Sequence, residues 1–223
     1  MIRKISLVND QIYHVFSRSI ADYVVFNNSD EFFRMIQLLK YYQIENHKIR
    51  FSDFIEFEGV HKKGFNNFLK IISTDKQELV QIIAYCLMPT HIHLILKQLI
   101  NNGISIYIGK ILNSYSRYFN IMHKRKGHLW EDKFKNVLVR KDEQLLHLTR
   151  YTHLNPVTAY LVKKPEDWVF SSYNEYLGKI NDSTLICQYE DILEIDPKSY
   201  RKFVNNQISY QKELAKIKKL LLD

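Results

Sequence analysis

Two apolar runs separated by a proline–threonine step, LVQIIAYCLM at 79–88 and HIHLILKQL at 91–99, constrain this 223-residue chain more than any other feature. Each is short, rich in aliphatic residues and bounded by turn formers, the pattern of a strand. With only Pro89 and Thr90 between them, the two must pair antiparallel. The first run reads as buried along its length, whereas the second opens on His91, Ile92 and His93. Side chains alternate along a strand, so His91 and His93 project from one face and Ile92 from the other. Two neutral imidazoles side by side on a rigid strand present two ligands to one divalent cation. The same spacing also occurs in histidines that merely pack or staple strands. Two histidines do not fill a coordination shell, so a third ligand would have to come from elsewhere.

The rest of the chain supplies partners for this hairpin. QIYHVFSRS (11–19) reads as another strand. The Asn27–Asp30 cluster offers helix N-caps ahead of a helix over 30–47, with Phe32, Met35, Ile36, Leu39 and Tyr42 on one stripe. Residues 48–78 read as an irregular insertion with one short helix at 65–72. A long helix follows Asn102–Gly103, with Ile104, Ile108, Ile111, Leu112, Tyr115, Phe119 and Met122 on one side. It closes on Lys124, Arg125 and Lys126 before Gly127, residues that suit a helix C-terminus. KFKNVLVRK (133–141) reads as a fourth strand. DEQLLHLTRYTHL (142–154) reads as a further helix ended by Asn155–Pro156. The order strand, helix, strand, strand, helix, strand predicts an α+β, ferredoxin-like four-stranded antiparallel sheet with helices packed on it. From about 179 the composition turns polar. The last segment places Tyr210, Leu214, Ile217 and Leu221 on one stripe, which predicts a helical C-terminal extension over 179–223.

Thirty-two Lys and Arg against 24 Asp and Glu leave a net charge of +8, which favours an anionic partner. Nucleic acid is the commonest such partner and an acidic membrane surface the rarer one. A plain basic soluble protein carries the same balance. Cys86 and Cys187 form no CxxC pattern, which argues against a disulfide scaffold or zinc knuckle. The N-terminal residues lack an apolar core of signal-peptide length, and no 18-residue apolar run suggests a membrane span. A reducing cytoplasm is the expected setting.

AYCLMPTHIHLIL resembles the His-hydrophobic-His strand of the single-tyrosine HUH transposases, the group that includes the REP-associated tyrosine transposases. Four other segments resemble that family's motifs in the same order. They are YHVFSRSI (13–20), GHLWEDKFKNVLV (127–139), YTHLNPVTAYLV (151–162) and DWVFSSYNEYLG (167–178). The resemblance covers roughly residues 10–178, and five ordered motifs are jointly far more specific than one. It implies a nuclease domain over 1–178, interrupted at about 48–78 by an insertion longer than the family's usual connection.

The resemblance also implies chemistry. Tyr151 matches the family's nucleophile, and Asn155, four residues later, matches the position that completes the metal site with His91 and His93. Positions i and i+4 share a helix face, so Tyr151 and Asn155 can both meet the histidine strand, with His153 facing elsewhere. Asn before Pro is equally the signature of a helix start, with Asn155 as N-cap. The implied activity is a metal-dependent endonuclease and strand transferase, with Mg²⁺ or Mn²⁺ as cofactor and a 5′-phosphotyrosyl intermediate. The implied partner is single-stranded or hairpin DNA. A homodimer, with sites built within or between chains, stays open. Arg18, Lys124, Arg125, Lys126, Lys133, Lys135, Arg140 and Lys141 are candidate phosphate contacts, or simply solvated surface residues. Trp130 is a candidate base-stacking ring or a core residue. Departures from the family pattern, Ser19 in place of a common Gly and Thr90 in place of Asn or Glu, remove no catalytic atom. Competing readings are a non-catalytic ferredoxin-like nucleic-acid binder, a structural metal protein, and a replication-initiator or relaxase-like nickase.

Overall fold

A computed structural model describes residues 7–45, 49–131, 133–181 and 184–220, with side chains as far as 215. Its centre is a sheet of four strands, β1 (Ile12–Arg18), β2 (Val80–Met88), β3 (His91–Gln98) and β4 (Lys135–Val139). Their spatial order is β2-β3-β1-β4 with every neighbouring pair antiparallel, which is the ferredoxin-like arrangement read from the sequence.

Helices cover both faces. α1 (Ser29–Tyr42) starts where Asn28 accepts the Glu31 backbone N–H. Together with α5 (Gly103–Met122) it packs against Tyr13, Val15, Ile92, Leu94 and Leu96 to make the larger core. The helix expected over 30–47 stops at Tyr42, and residues 46–48 lie outside the described chain. α6 (Asp142–Thr158) lies on the opposite face, where Leu145, Leu154 and Val157 meet Ile83, Ala84 and Ile95.

β2 is an edge strand, yet all nine of its residues are buried. The segment after α6 closes it. Leu87 N–H donates to the Phe170 carbonyl, Tyr85 N–H to Ser172 Oγ, Gln188 N–H to the Ile82 carbonyl, and the Trp168 indole to the Leu87 carbonyl. An edge capped this way has no free ladder on which another strand could add, and it explains why the run reads as apolar from end to end.

Two expectations change. The 48–78 insertion is helical, with α2 (Phe51–Ile55), α3 (Glu58–Lys63) and α4 (Phe65–Ser73) packed by Phe51, Phe54, Phe65 and Phe68 around Tyr41. Gly59 is required there, because a side chain would run into the Phe68 ring, and Gly64 joins α3 to α4 at φ +79°. α4 matches the short helix expected at 65–72, whereas α2 and α3 carry too few turns for periodicity to reveal them. The second change is that α6 does not end at Asn155 but continues to Thr158 with Pro156 inside it. Pro156 has no N–H for the Thr152 carbonyl, and Asn155 Nδ2 reaches that carbonyl instead, at 3.4 Å. Asn155 is therefore a helix-interior residue, and the N-cap reading fails.

Beyond residue 178 the chain adds further helices to the α6 side. α7 (Tyr173–Tyr176) leads to α8 (Pro197–Asn205), whose Tyr200 and Val204 are buried beside Leu154 and Val157. The last helix, α9 (Ile208–Leu220), contacts α6 and leaves Tyr210 and Leu214 exposed. The Ile217 side chain and Leu221 lie outside the described atoms. No helix among the described residues is long and apolar enough to cross a membrane.

Candidate active site

Alternation and register together decide what faces α6. β1 and β3 pair with Phe16 opposite His93, Arg18 opposite His91 and His14 opposite Ile95. His14, Phe16, Arg18, His91 and His93 therefore share one face of the sheet. With Ser17, Glu131, Lys133, Lys135, Tyr151 and Asn155 they line a cleft of ≈ 860 Å³.

The two predicted histidines sit side by side, with ring centroids 5.0 Å apart. Thr90 Oγ1 lies 2.9 Å from Nδ1 of His91, and His14 Nε2 lies 3.0 Å from Nδ1 of His93. Both ligand candidates thus use Nδ1 within the protein. Burial pushes His91 down to about 4, with the Arg18 charge acting in the same direction. His93 is driven well below the ordinary imidazole range by burial, and by His91, His14 and Arg18. At neutral pH both rings are uncharged, the form in which histidine binds a cation.

α6 brings Tyr151 to the same cleft. Its ring stands edge-on to His93 at 6.0 Å and to His14 at 6.3 Å. Although 43% exposed overall, the phenol is held above its ordinary value by partial burial, while Arg18 pulls it down. Asn155 lies one turn further along α6, nearly buried, at the cleft wall. With Nδ2 turned to the helix backbone, its Oδ1 is the atom left for a ligand. Two neutral imidazoles and an amide oxygen fit a divalent cation. No group of three or more His, Cys, Asp or Glu among the described residues is placed to hold one, so remaining donors must be the amide, water or substrate oxygen.

His153 faces away, as helical spacing requires. It is fully buried, with Nδ1 2.7 Å from Tyr200 Oη and Nε2 2.7 Å from Ser172 Oγ, and burial lowers it to about 3. Tyr200 also donates to Thr149 Oγ1. This chain ties the helix that carries Tyr151 to α8 and to the segment closing β2.

The cationic candidates divide. Arg18, Lys133 and Lys135 line the cleft. Arg18 also pairs with Asp22 at 3.1 Å, an exposed contact worth little. Lys124 and Lys126 are exposed at the end of α5 and do not line it, and Arg125 is spent on the loop, donating to the His128 carbonyl at 2.7 Å. Arg140 and Lys141 stand at the start of α6. Trp130 belongs to the larger core and does not line this cleft; its indole donates to the Leu112 carbonyl. His14 and Glu131 were not singled out from the sequence. For His14 the signal was present in strand alternation, but only the β1–β3 register puts it beside His93.

A ferredoxin-like sheet bearing paired histidines opposite a helix-borne tyrosine defines a class of site. The comparisons give the family. The family model described as "Transposase IS200 like" matches residues 37–155, more than half of the chain, and the chain belongs to that family. A putative REP-associated tyrosine transposase of Haemophilus influenzae is 27% identical over 104 residues, which cover 42% of this chain and 59% of the relative. The match thus spans less than two thirds of that relative's length. A solved structure of a REP-associated tyrosine transposase bound to a REP hairpin aligns at a TM-score of 0.46 and 15% identity, over 88% of this chain and 95% of that one.

Proposed function

We propose that this chain is a DNA transposase: a metal-dependent endonuclease and strand transferase for single-stranded or hairpin DNA, with Tyr151 as nucleophile. The observation that carries this reading is the meeting of Tyr151, neutral His91 and His93, and Arg18 in one cleft. Family membership supports it. We assign the chemistry to residues 1–178, and to 179–223 the bracing of α6.

His91, His93 and Asn155 would hold the cation. When bound, it would polarise the scissile phosphate and neutralise charge developing on its oxygens. Mg²⁺ strongly prefers oxygen ligands, so two imidazole nitrogens favour Mn²⁺.

The chain's own residues do the rest. Tyr151 Oη attacks phosphorus in line, forming the Oη–P bond as the P–O3′ bond breaks. The phenol proton passes to water, and the electron pair leaves on the 3′ oxygen, which is protonated to a free 3′-OH. Because the tyrosine is held above its usual value, it is a neutral phenol at rest, and Arg18 is the nearby charge that favours phenolate. Reversal by the same or another 3′-OH transfers the strand without an external energy source. Lys133 and Lys135 offer phosphate contacts along the cleft. A DNA substrate places the protein with the nucleoid of a bacterial-type cytoplasm.

The test is nicking of labelled single-stranded hairpins with Mn²⁺, by the full chain and by Tyr151→Phe. Cleavage that requires both Mn²⁺ and Tyr151 is the expected result. Binding without cleavage by the unaltered chain, over a range of DNA sequences and metals, would favour a non-catalytic nucleic-acid binder.

A further inference from the structure

His14 is buried on the cleft face, and its Nε2 lies 3.0 Å from Nδ1 of His93, with the two ring planes 16° apart. Two neutral imidazoles in that contact share one proton, and which ring donates decides what His93 can do. If His14 donates, His93 must carry its own proton on Nε2 and that atom has no lone pair to offer. If His93 donates from Nδ1, its Nε2 is bare and can ligate. The neighbouring ligand candidate repeats the pattern, since Nδ1 of His91 meets the Thr90 hydroxyl at 2.9 Å. Each histidine of the pair therefore has one partner at the same ring nitrogen, leaving the same nitrogen over.

We propose that His14 is a positioning residue that accepts the Nδ1–H of His93 and holds it in the tautomer whose Nε2 is a cation ligand. The inference rests on the reading that His91 and His93 bind a divalent cation. A carboxylate or carbonyl is the usual outer partner of a ligating histidine. Here a second imidazole takes that role, supplied by the central strand β1, whose own position is fixed by pairing on both sides. The cleft lining around the pair carries Arg18, Lys133 and Lys135 together with Glu131, and the atom in contact with Nδ1 of His93 is the imidazole nitrogen of His14.

Two measurements test it. In the metal-free full chain, imidazole ¹⁵N shifts should show His93 protonated on Nδ1. A His93 protonated on Nε2 would overturn the proposal without any variant having to fold. The second is Mn²⁺ affinity, read from the electron paramagnetic resonance signal of free Mn²⁺. Loss of an outer partner typically weakens metal binding by about 10–100-fold. His14→Phe, which keeps a ring but no acceptor, should show that loss, and His14→Gln, whose amide oxygen can accept, should recover most of it. Folding of each variant is checked by circular dichroism. Unchanged affinity in a folded His14→Phe would reduce His14 to a packing residue. His91→Ala separates the two levels: affinity unaffected by that change would bring down the metal reading beneath, whatever His14 does.

Discussion

The two faces of the sheet are built from the same strands and differ in kind. On the α1 and α5 side, Tyr13, Val15, Ile92, Leu94 and Leu96 are buried against apolar helices with nothing left to react. On the α6 side the same two strands present His14, Phe16, Arg18, His91 and His93, and α6 seals only the end near Ile95. One-residue alternation thus separates stability from chemistry. Residues on the first face should control folding, and residues on the second should control activity at nearly constant stability.

The comparison breaks or holds on variants from each face. The largest effect should come from Tyr151→Phe: DNA cleavage falls below detection while the melting temperature stays near that of the unaltered chain. Next, His93→Ala or His91→Ala should weaken Mn²⁺ binding by at least roughly 100-fold, more than the loss of an outer partner. A purely structural metal site would instead unfold the domain. From the opposite face, Leu94→Ala should cost about 2–5 kcal/mol in urea denaturation, with residual activity tracking the folded fraction.

The pH response sharpens the contrast because the depressed histidines lie on the α6 side. His153 is fully buried and neutral in the fold, near 3, against about 6.5 when unfolded. A lowered histidine means that the unfolded chain takes up protons first as pH falls. Stability is therefore complete above about 6.5 and lost between there and 3. At pH 5 the loss is about 2 kcal/mol for this one residue. Urea titrations at pH 7.5 and 5 should show it, and His153→Phe, if it folds, should remove that share and leave the part due to His14 and His91, both lowered to about 4. The smallest effect should be Arg18→Ala, which removes one phosphate contact and lowers the salt dependence of single-strand binding by about 0.7 in log–log slope.

Much of this was legible in the residues, because strands and long helices have periods that survive in sequence. The HIH pair and the sheet order follow from alternation and helical spacing, whereas Tyr151 is singled out by the resemblance to the family's ordered motifs. The remainder depends on tertiary placement. His14 joins the site only through β-register, which one strand's sequence does not encode. Asn155–Pro156 looks like a boundary, but α6 runs through it because the Asn155 amide takes up the Thr152 carbonyl that proline leaves. In the insertion, α4 keeps an apolar stripe and was legible, whereas α2 and α3 are too short to show one. Trp130 stands in a basic segment, yet it packs beside Phe26 and Tyr115 in the larger core.

The central claim is that Tyr151 forms the bond to DNA, and intact-mass analysis with peptide mapping tests it most directly. After incubation of the full chain with Mn²⁺ and a single-stranded hairpin, the expected result is a covalent adduct on Tyr151. An adduct on Tyr115, whose hydroxyl is buried against the Val25 carbonyl, or on Tyr118 would contradict it.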